Sequence, residues 1–455
     1  MASATAFVTL MRASAARRRE QWLSPGELHS LRVRRLRRLA LEAARTPYWS
    51  GVFQRHGIRP EALEPGPSLE RLPILERSTL QEITEEMLTA PMSSLFRVKS
   101  SGSSGRPLQL YRSESDQAQV SALHVRIGGV FGRRTFECQV SIGSGGPVAS
   151  KGPVVMLRKL GLLPPMHRLL SMDPVEEQLA TVRRLQPQVI NGYSIALERL
   201  AEAALEHGIE DIRPRLIYTG SMPTSDRCRH LVEEAFGVRP LDVYAMVEAG
   251  PLAFECPGSP GDYHLNDDVQ LIEIVDERGR PVPDGVTGEL VVTPLALLGQ
   301  PLLRYRAGDL AARQTHRCRC GRGLALLTSV IGRSRDVIRT PDGRALNAGV
   351  LTDIFLPEDG IRRWQIRQTS PDAVQALVVP TRTWSEGSHA RTLERMRRRV
   401  GDGMRVELEV VEEIATTAAG KFQTVVPLPG GRESAVLSAR SFRPGPEALP
   451  RRKTA

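Results

Sequence analysis

Five short segments of this chain combine residue types suited to binding phosphate and ribose groups. Ser100 to Pro107 reads SSGSSGRP. A turn so rich in glycine and hydroxyls can aim backbone N–H groups and serine side chains at phosphate oxygens. Gly102 and Gly105 would permit the positive φ that a close approach to polyphosphate needs. The GK[ST] ending of a Walker loop is missing, and a plain Gly/Ser linker has a similar composition. DVYAMVEAG puts Tyr244 and Glu248 in a Tyr-x-x-x-Glu spacing. A carboxylate just past a strand end suits Mg²⁺ beside substrate phosphates; taken singly, it could also be a solvated loop glutamate. LLRYRAGDLA holds Tyr305, Arg306, Gly308 and Asp309, and an acid after a tight glycine turn can accept from both ribose hydroxyls. IGRSRD offers Arg333 to the ribose. TTAAGKF brings Lys421, one of five lysines (with Lys99, Lys151, Lys159 and Lys453) in a chain that otherwise uses arginine. A compact ammonium suits a single phosphate oxygen, while chance retention would explain one lysine equally.

A second constellation is Cys256, His264, Cys318 and Cys320, a Cys-x7-His plus a Cys-x-Cys. Four such donors favour tetrahedral Zn²⁺, and a closed four-ligand site is structural. His316 is a rival ligand, and buried or free thiols are the alternative. The five cysteines, Cys138 and Cys228 included, are too few for a disulfide scaffold at this length.

The elements that must position these residues read as follows. Leu28, Leu31, Leu36, Leu39 and Leu41 predict helix over 27–58, interrupted at Pro47, before a linker marked by Pro60, Pro65 and Pro67. Two strands flank the Gly/Ser loop between about 95 and 112. From 113 to 245 helical stretches alternate with short apolar runs, the pattern of an α/β sheet. A hairpin is expected over 269–293. After Arg333 a small α+β unit begins: a turn at Pro341-Asp342-Gly343, a helix around Val350 to Phe355, the strand VQALVVP, a helix around Thr392 to Val400 and the strand RVELEVV. The expected fold class is α/β, a large multi-lobed α/β N-terminal domain with a β-rich lobe plus a small mobile α+β C-terminal domain. Its boundaries are 1–332 (27–90 a helical lead-in), 333–430, and a disordered tail over 431–455.

Composition excludes several classes. The 455 residues are 41% hydrophobic and 25% charged, ordinary for a globular protein. No stretch approaches the ~20 apolar residues of a membrane span. The short apolar patch Ala6 to Met11 precedes Arg12, the wrong order for a secretory signal, so a cytoplasmic protein is expected. The net charge of +11 comes without a zinc finger, RNA-binding aromatic motif or basic zipper. It suits phosphate-rich small molecules instead of nucleic acid.

Taken in order, the Gly/Ser loop, Tyr-x-x-x-Glu, Tyr-Arg-x-Gly-Asp, Gly-Arg and a terminal Gly-Lys resemble the adenylate-forming superfamily of acyl-CoA synthetases. They are most similar to its phenylacetate–CoA ligase branch, as is ARTPYWSGVF near the start. The resemblance runs over roughly 35–427. It implies that Ser100, Ser101, Gly102, Ser103, Ser104 and Gly105 cover the β,γ-phosphates, that Glu248 binds Mg²⁺ and that Asp309 takes the ribose. Arg333 would contact the nucleotide, with Gly220, Ser221 and Tyr244 in the same ATP/AMP site. Arg335 would be the hinge, and Lys421 would bridge the substrate carboxylate and α-phosphate. His124, Tyr193 and Met222 would wall the acyl pocket. Relatives in this branch carry cysteines near Cys256 to Cys320, and some bind zinc.

The implied reaction activates a small, aryl or short, carboxylic acid with ATP as acyl-adenylate and passes the acyl group to CoA. Arg335, Arg339 and Arg344 suit CoA's phosphates. An amine or carrier protein is the alternative acceptor, and a non-catalytic nucleotide-binding protein the remote one. No nucleic acid or membrane partner is implied, and a homodimer is compatible. Three positions depart from the pattern. Ala245 replaces Gly, Val247 replaces a Ser/Thr hydroxyl worth about 1 kcal/mol, and Ala307 replaces Thr. RTPDGRALNAG also departs from the family's loop, with Asn347 as the equivalent asparagine.

Overall fold

Polar residues written into the chain set the ends of its first helices. Ser24 caps the helix Pro25–Ala43: its Oγ accepts from Glu27 N, while Glu27 Oε2 accepts from Ser24 N at 2.8 Å. The helix stops before Thr46, and a second begins with Pro47 as Pro47–Arg55. The helix expected over 27–58 is therefore two, because Pro47 has no N–H to continue the first. An earlier helix, Ala4–Glu20, was not foreseen in the apolar pattern. Its polarity is inverted: Phe7, Val8 and Met11 are exposed while Arg17 is buried against Glu20 and Asp268. The computed structural model describes residues 4–99, 108–134, 136–144, 166–328, 330, 332–334, 336–416 and 422–428.

Strands β1 (Phe96–Lys99) and β2 (Gln109–Arg112) pair antiparallel, as expected for the arms of the Gly/Ser loop. The helix Glu114–Val130 follows at once, capped by Ser113 and Asp116. The main sheet then assembles β3 (Gln139–Gly143), β4 (Met166–Leu170), β5 (Val189–Tyr193), β6 (Leu216–Gly220) and β7 (Leu241–Met246) in parallel. It continues antiparallel through β8 (Gly250–Cys256), β9 (Ser259–Leu265) and β13 (Leu326–Leu327). The order is β13-β9-β8-β7-β6-β5-β3-β4. Val140, Ile142, Ile190 and Ile217 share one face with the helices Val175–Leu185, Ser194–Glu206 and Asp226–Phe236. On the other face Val189, Leu216 and Val243 meet Ile127 and Phe131 from the Glu114–Val130 segment. Strands buried on both faces explain the continuous apolar runs in the sequence. Gly192 is required, because a Cβ there would lie 2.4 Å from the Ile142 carbonyl oxygen on β3.

The expected hairpin is present as β10 (Gln270–Val275) and β11 (Gly288–Pro294). It is widened by β12 (Tyr305–Ala311) and the short β14 (Gly332–Arg333) into one sheet. Leu36, Leu39, Trp49 and Phe53 from the leading helices pack with Leu303 and Tyr305 beside it. The Trp49 indole N–H donates to Pro301 O at 2.9 Å.

The chain separates into two compact units, with a division between Gly332 and Arg333. In the second, β15 (Val337–Arg339) and β16 (Ala345–Asn347) form a hairpin about the expected Pro341-Asp342-Gly343 turn. The strand β17 (Ile361–Ser370) pairs antiparallel with β18 (Ala373–Pro380). In turn, β18 runs parallel to β19 (Arg405–Val410), and β17 parallel to β20 (Val425–Val426). The covering helix is Glu386–Val400, longer than expected because Ser385 caps it nearly two turns earlier. Near Val350 the helix is only Ala348–Leu351, capped by Asn347, and tightens to a 3₁₀ turn. Among the described residues no helix is long and apolar enough to cross a membrane. The tail expected over 431–455 lies outside the described residues.

Candidate functional site

The carboxyl ends of parallel strands are where open α/β sheets hold ligands, and several singled-out residues stand there. Tyr193 ends β5, Gly220 ends β6, and Glu248 follows β7 by a short turn. Ser221, immediately after Gly220, has φ +68°. A left-handed serine costs on the order of 1 kcal/mol, so its surroundings must impose it. They do so from below: Thr219 Oγ1 lies 2.6 Å from Thr224 Oγ1 across the turn and donates to Asp242 Oδ1 at 3.0 Å. Tyr263 also donates to Asp242, at 2.9 Å. Burial raises the Asp242 pKa against these bonds. Ser194 ties Pro223 O at 3.0 Å from the other side.

Glu248 is buried, and two groups meet its Oε1: Tyr305 Oη donates at 3.2 Å and Arg77 Nη1 at 3.4 Å. Burial, then the Glu248 charge, pushes the Tyr305 phenol up, so it stays protonated. Arg112 donates to Val247 O, fixing the turn that presents Glu248. Sequence reasoning missed Arg77 and Arg112, which no local motif marks. Among the described residues both bonds reach Oε1, and a buried carboxylate so held fits a Mg²⁺ ligand.

The Tyr244 hydroxyl donates to Asp309 Oδ2 at 2.6 Å. Asp309 was expected after a glycine turn, but it lies within strand β12. Gly308, at φ +77°, makes a bulge where the register slips opposite Glu289 and Val291. Arg306 is held by Glu76 and Glu289 and is a structural residue. Arg333 is half-buried on β14, and Met222 is half-buried beside Ser221. His124 is solvent-accessible on the Glu114–Val130 helix, yet burial by surrounding protein, then Arg133 and Arg112, depresses its pKa to about 4. Ser100 to Gly105, Arg335 and Lys421 lie outside the described residues.

Cys256 ends β8, His264 sits on β9 across a short turn, and Cys318 and Cys320 arrive from the segment before β13. All four ligand atoms lie within 4.8 Å of one another. Cys318 Sγ is 3.6 Å from Cys256 Sγ, and Cys320 Sγ is 3.2 Å from His264 Nε2. A tetrahedron with ~2.3 Å metal–sulfur arms has edges of about 3.8 Å, so the donor set fits zinc. Burial, then Arg322, drives the His264 pKa down to about 4, leaving the neutral ring a metal needs. His316, the rival ligand, bonds Asp262 instead, at 3.0 and 3.1 Å. In the second unit Arg344 donates to Arg399 O, Val400 O and Asp342 Oδ2 at 3.2, 2.8 and 2.7 Å. The bonds to Arg399 and Val400 cap the C-terminal end of the Glu386–Val400 helix.

Comparison with known proteins matches residues 338–427 to the CapK C-terminal domain. The chain is 27% identical over 325 residues to the phenylacetate-coenzyme A ligase of Thermus thermophilus, covering 69% of this chain and 72% of that protein. It is 29% identical over 304 residues to the enzyme of the same name from Pseudomonas putida, covering 64% and 67%. In fold it is similar to 2-hydroxyisobutyryl-CoA ligase solved in the postadenylation state with R3-HIB-AMP. The TM-score is 0.76 at 19% identity, covering 90% of this chain and 92% of that one.

Proposed function

We propose that this chain, a phenylacetate–CoA ligase-like member of the adenylate-forming superfamily and an AMP-forming ligase, activates a small carboxylic acid as acyl-adenylate and transfers it to the thiol of CoA. The acid arrives ionised near pH 7. Its oxygen attacks the α-phosphorus, the bond from that phosphorus to the α,β-bridging oxygen breaks, and pyrophosphate leaves. The thiolate then attacks the acyl carbon and AMP departs. No general base is needed in the first step, so this chain contributes position and charge.

Each residue has a part in that reading. Ser100 to Gly105 hold the β,γ-phosphates, and Lys421 neutralises charge between the substrate carboxylate and α-phosphate. Asp309, oriented by Tyr244, accepts from the ribose hydroxyls, and Arg333 reinforces that contact. Gly220 and Ser221 present backbone to the nucleotide. Mg²⁺ held by Glu248 would offset the charge gathering on the leaving pyrophosphate. Arg335 is the hinge about which the smaller domain, from 333 onward, turns between the two half-reactions. The cluster of Cys256, His264, Cys318 and Cys320 holds a structural zinc.

The observation that carries this reading is the gathering at one end of the sheet of the Ser221 turn, Glu248 and the Tyr244–Asp309 pair. The β15–β16 hairpin about Pro341-Asp342-Gly343 favours a second acceptor reading, transfer to an amine or carrier protein, since a stiff two-strand turn there would obstruct a pantetheine arm. A pyrophosphate-release screen over a panel of acids, with and without CoA, tests both. Release that CoA accelerates severalfold, with thioester accumulating, supports CoA; acyl-adenylate unchanged in millimolar CoA but consumed by an amine or carrier protein replaces it.

A further inference from the structure

One face of the main sheet carries a polar row in place of an apolar wall. Ser141, Asn191 and Tyr218 occupy one register position on β3, β5 and β6, and Gln139 stands two residues earlier on β3. In-register parallel strands point such residues to one face, the face that meets Ile127 and Phe131. They are wired together. Gln139 Nε2 donates to Asn191 Oδ1 at 2.6 Å and to Tyr218 Oη at 3.2 Å, and Asn191 Nδ2 donates to Ser141 Oγ at 3.2 Å. Arg133 also bonds Tyr218. Tyr218 and Ser141 each accept within the row, so the row itself does not use their hydroxyl protons.

Gly128 is built for Arg133. A Cβ at Gly128 would lie 2.9, 3.1 and 3.2 Å from Arg133 Nε, Cζ and Nη2, so the guanidinium lies flat on the glycine. Glycine inside a helix is unfavourable by about 1 kcal/mol against alanine, and here it clears the path of the only described cation in contact with Tyr218. His124, one turn earlier on the same helix, completes the enclosure. Its neighbour charges are Arg133 on one side and Arg112, which holds Val247 beside Glu248, on the other.

We infer that the acid substrate carries a second oxygen-bearing group, a hydroxyl or carboxylate distal to the reacting carboxylate, received by Tyr218, Ser141 and Arg133. This deepens the adenylation reading and rests on it. A plain aryl or alkyl acid would cover these half-buried hydroxyls without pairing them, and sites built to hydrogen-bond a substrate discriminate strongly against analogues lacking that group.

The test is ATP–pyrophosphate exchange with matched acids: phenylacetate, 4-hydroxyphenylacetate and 4-carboxyphenylacetate; benzoate and 4-hydroxybenzoate. Wild type, Tyr218→Phe, Arg133→Gln and Gly128→Ala are compared. We expect the oxygenated member of a pair to exceed the plain one at least about tenfold in kcat/KM. Tyr218→Phe should shrink that ratio for both kinds of acid through KM. Arg133→Gln and Gly128→Ala should shrink it chiefly for the carboxylate. A plain acid preferred by wild type, with ratios unmoved in all three variants, overturns the inference. If no acid supports exchange, adenylation itself fails. Ligand-detected NMR binding of the same pairs then decides the row: preference for the oxygenated acid sustains it, and none overturns it.

Discussion

The Tyr244 hydroxyl and the Asp309 carboxylate lie 2.6 Å apart, joining the last parallel strand of the main sheet to the neighbouring bulged strand β12. A phenol that donates to one carboxylate oxygen fixes the rotamer of the acid and so fixes where its lone pairs point. Tyr244→Phe should therefore raise KM for ATP about three- to tenfold with little change in kcat, the loss of one hydrogen bond of about 1 kcal/mol. Asp309→Asn should do more. Exchange assays with ATP varied at saturating acid measure this; an unchanged KM in both variants would remove the pair from the nucleotide site.

Lys421→Ala should lower adenylation by orders of magnitude with the fold intact, because it removes a contact made in the transition state. On the proposed rotation of the smaller domain, thioester formation from supplied acyl-adenylate should survive. Circular dichroism and the two half-reactions, assayed separately, check it. Equal loss of both half-reactions would point away from this role.

One zinc per chain is expected in protein purified in reducing buffer. Cys318→Ser with Cys320→Ser should release the metal and lower Tm by several degrees, because binding energy in a closed site is folding energy. Elemental analysis beside calorimetry reads both. A metal-free wild type of undiminished Tm would contradict the assignment, as would a double variant that retains zinc.

His124 gives a pH signature. Its folded pKa of about 4 lies below the ordinary histidine value of about 6.5, so between those values the unfolded chain binds more protons. The stability it contributes is fully present above about pH 6.5 and lost as pH falls toward 4. Relative to His124→Asn, wild type should lose stability across that window and match it in slope above pH 7. Denaturant titrations at stepped pH measure the difference; parallel curves down to pH 4 would mean that the ring is not enclosed.

What could be read in advance followed how local each feature is. Cys256 and His264 come together because a Pro257-Gly258 turn joins their strands, and both ends of that turn are visible in the sequence. The Tyr244–Glu248 spacing likewise lies on one strand and its exit. Arg77 meets Glu248 from 171 positions away, and no spacing rule reaches that far. Gly308-Asp309 reads locally as a turn; only its remote partners Glu289 and Val291 hold it in a strand as a bulge. Ser221 shows no sign of its positive φ, since the strain is imposed by Thr219, Thr224 and Asp242. The helix Ala4–Glu20 hid for the opposite reason: it buries Arg17 and exposes Phe7 and Met11, so hydrophobic periodicity cannot find it.

The central claim is that a carboxylate oxygen attacks the α-phosphorus of ATP. An acid labelled with ¹⁸O in its carboxyl group, turned over with ATP and CoA, follows that oxygen directly by mass spectrometry of the nucleotide products. The account predicts one ¹⁸O in AMP, unlabelled pyrophosphate, and an acyl thioester retaining the other. ADP as product, or label found in inorganic phosphate with none in AMP, would contradict it.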